Sequence, residues 1–244
     1  LANMFQPFAY MGSGDTAPPY VTDNLTFYVD ASDASSYPGT GTTWSDLTTN
    51  GNDASIVGGP TFGGTGDAKY FDLSGVYTQY FQVPSMNLKQ DFSFETVLQI
   101  DQNSTRYNII SAGTTQNGKG LHFEYRPSRS DIEFNYSFYG GAYTSQYGNS
   151  GPISTGTWYH IVATYKHSTG AHGLYINDVA QTPTYSSYTP NLMATSNTLY
   201  MGYWQATASN TWNGPWALAR LYYKELSSSE VTTNFDGLKS RFGL

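Results

Sequence analysis

Apolar and polar residues alternate with a period of two through most of this chain, and that alternation dictates extended structure. Phe92, Phe94, Thr96, Leu98 and Ile100 alternate with Ser93, Glu95, Val97 and Gln99. Ile132, Phe134, Tyr136 and Phe138 alternate with Glu133, Asn135 and Ser137. Successive side chains of a strand point to opposite faces, so each such segment offers one apolar face to a core. The same reading predicts strands at 25–30, 121–125, 158–165, 174–177, 198–203 and 217–223. Clusters of Gly, Asn, Asp, Ser and Pro separate them, the mark of a sandwich or barrel built from short strands. Asn177-Asp178 stands between two of them and suits the positive φ values of a tight hairpin turn. With 16% aromatic and only 12% charged residues, the chain has ample material for a large core.

Near the C-terminus the period changes. Val231, Phe235, Leu238 and Phe242 follow at spacings of four, three and four, which places them on one helical face. Ser227 is placed to cap this helix with Glu230 bonding back, and Leu226 and Val231 sit at staple positions around the cap. Residues 1–24 keep no period. Gly12-Ser13-Gly14-Asp15 and Pro18-Pro19 interrupt any regular element, so this stretch reads as an arm or linker and 25–244 as one domain.

Three stretches together resemble the concanavalin A-like (laminin G-like) lectin/glucanase superfamily. The first runs from Leu25 to Asp30, through Ser36-Tyr37-Pro38-Gly39 to Trp44-Ser45-Asp46-Leu47 and Asn50-Gly51-Asn52. The second is the hairpin Gly156-Thr157-Trp158-Tyr159-His160 with Leu174-Tyr175-Ile176-Asn177. The third is Ala219-Arg220-Leu221-Tyr222, continuing through Leu226-Ser227 to Phe242. The resemblance spans roughly 25–244 and implies an all-β, two-sheet antiparallel jelly-roll sandwich with a C-terminal helix. Sequences of this style occur in phage and other viral structural proteins and in bacterial surface proteins, which implies a virion surface or an extracellular, cell-surface setting. The fold serves lectins, laminin-type modules and glycosidases alike, so function has to come from the site.

Charge narrows the partners. A net charge of −7, with eleven basic residues scattered along the chain, argues against nucleic acid. No apolar run approaches the length needed to span a bilayer as a helix. The chain has no Cys, which excludes disulfides and thiolate metal sites.

Glycoside hydrolysis needs two carboxylates about 5–9 Å apart. The superfamily's glucanases carry them as Glu-x-Asp-x-x-Glu. Asp131-Ile132-Glu133 comes nearest here and lacks the third acid, while Glu95 and Asp101 fall outside the pattern. These acids read as solvated groups on outer strand faces, and the expectation is that the protein is not an enzyme. His122, His160, His167 and His172 show no metal-ligand spacing, and His160 reads as structural. Resemblance also implies calcium as a cofactor. The family's acidic segment corresponds to 71–80, where Asp72 is kept and the second acidic position holds Thr78 or Gln79. Asp72 is therefore either a calcium ligand or a turn residue bonded to backbone amides.

Two loops carry the mixture that binds sugars, aromatic faces for C–H surfaces and amides for hydroxyls. One holds Tyr139, Tyr143 and Asn149; the other holds Trp204, Gln205, Asn210, Trp212 and Asn213. They are the candidate ligand-binding residues, and the alternative is that these aromatics cap the sandwich or face a neighbouring subunit. Trp44, Trp158 and Trp216 are assigned to the core. The expected function is carbohydrate binding or adhesion, with glycans or a host-surface polysaccharide as partner. A purely structural role among other virion or surface subunits is the alternative, and glycoside hydrolysis ranks third.

Overall fold

The computed structural model describes residues 19–101, 107–112, 121–127, 132–138, 142–148, 153–183, 185–186, 197–204 and 210–244. In chain order the strands are β1 (Leu25–Asp30), β2 (Thr43–Trp44), β3 (Ala54–Val57), β4 (Thr61–Gly63), β5 (Tyr70–Ser74) and β6 (Tyr80–Met86). Then follow β7 (Phe92–Gln99), β8 (Tyr107–Ala112), β9 (Leu121–Pro127), β10 (Ile132–Phe138), β11 (Ala142–Gly148) and β12 (Trp158–Tyr165). The last are β13 (His172–Ile176), β14 (Val179–Ala180), β15 (Tyr185–Ser186), β16 (Asn197–Met201) and β17 (Asn213–Tyr222), before the helix α1 (Ser228–Phe242).

They form two antiparallel sheets. The eight-stranded sheet runs β14-β13-β12-β7-β17-β5-β4, with β1 also on β17; the nine-stranded sheet runs β15-β11-β10-β9-β8-β16-β6-β3-β2. β17 is long enough to serve two partners on one edge, pairing with β5 through Asn213–Trp216 and with β1 through Leu218–Tyr222. Inward faces of both sheets meet in one core that includes Trp44, Phe71, Phe81, Phe94, Phe123, Trp212 and Trp216. This is the jelly-roll sandwich expected from the motifs, and Trp44 and Trp216 are fully buried as assigned.

Local rules hold where they were applied. Asn177 and Asp178 take φ values of 47° and 65° between β13 and β14. Ser227 caps α1 in a complete capping box with Glu230, and Gly243 ends the helix in the left-handed conformation. The apolar face of α1 lies on the outer side of the eight-stranded sheet. There Leu238 and Phe242 pack on Val97, Ala217 and Leu218, with half-buried Trp158 against Phe242. Trp158 thus packs in this outer layer, beneath the helix. Pro19–Asn24 is tied to the same layer: the Val21 amide donates to Asn234 Oδ1 at 2.7 Å, and the Tyr20 ring packs on Tyr28. Residues 1–18 of the expected arm lie outside the described residues.

Beneath the helix the structure corrects one expectation. Glu95, read as a solvated acid, is fully buried, because α1 covers the face of β7 that carries it. Its carboxylate accepts from Arg220 at 3.1 Å, Tyr222 at 3.2 Å and Asn234 at 2.7 Å, and lies 2.9 Å from His160 Nε2. Burial by itself would raise its pKa, but the Arg220 guanidinium, His160 and the Tyr222 hydroxyl hold it below the usual range. His160 is structural as expected. A second clamp joins Arg241 near the helix end to Asp30 through Nη1 at 2.6 Å.

Candidate functional site

Among the described residues no helix covers the outer face of the nine-stranded sheet over β16, β6 and β3, and strand alternation decides what that face displays. On β6, Phe81 and Val83 turn into the core, leaving Tyr80 and Gln82 on the other face. On β16, Leu199 and Met201 are buried and Tyr200 lies between them. Cross-strand pairing aligns Ser111, Tyr200, Gln82, Ser55 and Thr43 in one row. After β16, Gly202 takes φ +77° where a Cβ would press on Leu73 and Trp212, and the chain turns back over the sheet. Asn108 Nδ2 and Ser111 Oγ both donate to the Tyr203 carbonyl, at 2.7 and 2.8 Å, and hold it there.

The result is a cluster of three half-buried tyrosines. Tyr203 stacks on Tyr80 with ring centroids 4.5 Å apart and planes 16° from parallel. Tyr200 stands edge-on to both at 5.9 Å. Burial, then the neighbouring phenols, raises the pKa of Tyr200 and of Tyr203. Both hydroxyls therefore stay neutral at pH 7 and can donate and accept. Gln82 lies half-buried beside them, and Ser55 and Thr43 are exposed. Sequence reasoning found β16 but looked for the ligand in loops. The signal it passed over was the alternation itself, which sets Tyr80 and Gln82 against Phe81 and Val83.

A braced turn stands at the adjoining rim. Thr211 Oγ1 donates to the Gly75 carbonyl at 2.6 Å, which ties the end of loop 204–213 to the β5–β6 turn. Gln79 Oε1 accepts from both the amide and the hydroxyl of Ser74 at 2.8 Å. The tip residues Val76 and Tyr77 are 46% and 63% exposed. Gly58 packs under this turn at φ +78°, where a Cβ would overlap the Thr78 carbonyl. Gly58→Ala is expected to destabilise the protein by more than about 1 kcal/mol, since the backbone conformation is disfavoured and the space filled. Equal unfolding midpoints in guanidinium for variant and parent would contradict this.

The sequence-derived candidates divide. Trp212 is fully buried, its ring against Trp216 and Tyr107 and its Nε1 donating to the Gln99 carbonyl at 3.0 Å. It belongs to the core and offers no stacking surface, because the flanking residues of its loop join β17 and carry it inward. Trp204 is half-buried next to Tyr203 in the chain. Asn210, at φ 56°, accepts from the Asn108 amide through its carbonyl, and Asn213 donates to the Ser74 carbonyl. These three border the tyrosine cluster or its rim. Tyr143 pairs with Ser137, and the register continues through His122 and Ser111 to Tyr200. Tyr143 thus lies on the cluster's own row, four strand spacings or about 19 Å away. Tyr139, Asn149, Gln205 and Asp131 lie outside the described residues.

Asp72 is half-buried on β5, and burial raises its pKa. Asp101 is raised by burial and then by the charge of Asp72. The turn reading gains nothing here, as no described donor bonds the Asp72 carboxylate. Among the described residues no group of three or more acidic or histidine side chains is arranged to hold a metal.

Comparison with known proteins now fits this geometry. Residues 74–232 match the family model described as the concanavalin A-like lectin/glucanases superfamily. The chain belongs to that superfamily. No curated protein matches the sequence. Among solved structures, domain 4 of the extracellular arabinanase AbnA from Geobacillus stearothermophilus, in complex with arabinotriose, is 17% identical. The match has a TM-score of 0.65 and covers 87% of this chain and 98% of that one. Trypanosoma rangeli sialidase in complex with sialic acid is 18% identical, with a TM-score of 0.61 over 89% of this chain. That match covers a third (33%) of the sialidase. The binding domain of Paraclostridial Mosquitocidal Protein 1 is 15% identical, with a TM-score of 0.60 and coverage of 87% and 52%. At these identities the likeness is one of fold.

Proposed function

We propose that this chain is a non-catalytic carbohydrate-binding module, displayed outside the cell or on a cell or virion surface. The observation that carries the reading is the cluster of Tyr80, Tyr200 and Tyr203 on the outer face of the nine-stranded sheet, beside the amide of Gln82. Stacked phenol rings give flat surfaces for the C–H faces of sugars, and their hydroxyls with the amide serve sugar hydroxyls in both senses. Trp204, Asn210 and Asn213 border the cluster or its rim, and Tyr143 shares its row by backbone pairing. The lack of the Glu-x-Asp-x-x-Glu pattern in the sequence supports the non-catalytic part, and Glu95 in addition is sealed beneath α1 and held by four partners. The solved arabinanase domain in complex with arabinotriose supports the glycan class, and the extracellular nature of that arabinanase supports the location.

A glycan array probed with the full chain tests this. Tyr203→Ala is expected to lower affinity for the bound glycan by roughly tenfold, the loss of about 1.4 kcal/mol of ring contact and hydroxyl bonding. Binding that persists unchanged in Tyr203→Ala removes the cluster from the site, and a blank array removes the function. Repeating the array with chelator tests calcium at Asp72, which we propose as its carboxylate ligand; an identical signal would drop the metal. The exposed Val76–Tyr77 tip favours a second reading, an assembly module contacting neighbouring subunits. A blank array together with self-association lost in Tyr77→Ala would favour that role.

A further inference from the structure

Around the tyrosines, the described residues that β16, β6, β3 and β2 turn outward are of uncharged types. They include Tyr200, Tyr80, Gln82, Ser55 and Thr43, with Tyr203 over them. This holds in a chain whose net charge is −7. Several of its cations are engaged elsewhere. Arg220 and Arg241 pair with Glu95 and Asp30 at the helix face, Lys166 with Asp91, and Lys224 with Asp23 and Glu230. Arg126, on the same sheet as the cluster, lies 3.4 Å from Glu124.

Building on the glycan-binding reading above, we infer that the ligand is an uncharged glycan. A uronate, sialate or sulfate entering this half-buried patch would give up hydration and meet no counter-charge among these outward residues. The net field of the protein would also repel it on approach. A neutral sugar faces neither cost. Its apolar face covers the rings, and its hydroxyls exchange water for three phenols and a primary amide that supplies two donors and an acceptor. Gln82 makes no hydrogen bond within the described structure, so its amide is available to neighbouring hydroxyls.

The test compares two glycan sets on the full chain. One set holds neutral arabino-, gluco- and galacto-oligosaccharides; the other holds uronic acid, sialylated and sulfated counterparts. Neutral probes are expected to bind with an affinity that does not change between low and high salt, and acidic probes to bind at least tenfold more weakly. Gln82→Lys, a change at a half-exposed position, is expected to narrow or reverse that preference, with acidic binding then falling as salt rises. Acidic probes preferred by the parent, and lost in Tyr203→Ala, would overturn the inference while keeping the glycan-binding reading. Neutral binding indifferent to both Tyr203→Ala and Gln82→Lys would overturn both.

Discussion

Arg220→Met is expected to destabilise the protein by about 3–5 kcal/mol, because it strands a fully buried carboxylate without its counter-ion. Arg220 Nη1 lies 3.1 Å from Glu95 Oε1, and the guanidinium rests between the rings of Tyr20 and Tyr28, 4.4 Å from each centroid. Methionine fills similar volume, so the loss would report charge rather than packing. The deficit should depend on pH with a defined sign. In the parent, Glu95 has a folded pKa below its unfolded value of about 4.3, so its contribution is complete above that value. It is lost as pH falls through the lower folded value. Without Arg220 the desolvation of the carboxyl prevails and its folded pKa rises, so protonation relieves the variant. The difference between parent and variant is therefore largest near pH 7 and shrinks on acidification. Urea unfolding at a series of pH values measures it. A deficit below about 1 kcal/mol at pH 7 would mean that the cluster is not the electrostatic anchor of the helix.

Trp212→Ala should cost a similar amount, about 3–5 kcal/mol, through the cavity it leaves in the core. The indole is enclosed by Trp216 and Tyr107 and hydrogen-bonded to the Gln99 carbonyl, and its Cβ sits against Gly202. Trp212→Phe keeps part of that volume and should lose less. Tyr203→Ala, at a half-buried surface position, should change stability by less than about 1 kcal/mol while weakening glycan binding. Unfolding and binding measured on the three variants separate the roles. If Trp212→Ala kept the parent's stability and lost the ligand, the indole would be a contact residue after all.

These two residues mark where the sequence stopped being legible. Strand alternation, the Asn177-Asp178 turn and the Ser227–Glu230 capping box are local patterns, and all three stand in the structure. Trp44 and Trp216 were placed in the core from motifs. Glu95 and Trp212 depend on what lies above or beneath them, and no period encodes that. Glu95 occupies the polar side of an alternating strand, and only α1, more than a hundred residues later, makes that side an interior. Trp212 stands among Asn210, Thr211 and Asn213, a polar setting that conceals its inward turn at the start of β17. The tyrosine cluster was hidden differently. Its members come from β6, β16 and the turn after it, and only pairing of β6 with β16 brings them together.

The layer under α1 also sets how the module is presented. Pro19 packs against Gly237, Val21 bonds to Asn234, and Leu244 joins the apolar cluster at the far end of the helix. Both ends of the described chain therefore emerge on the helix side of the sandwich, and the tyrosines occupy the opposite side. A polypeptide that left Pro19 or Leu244 in the same direction would attach at the back, with the tyrosine-bearing face turned away from it.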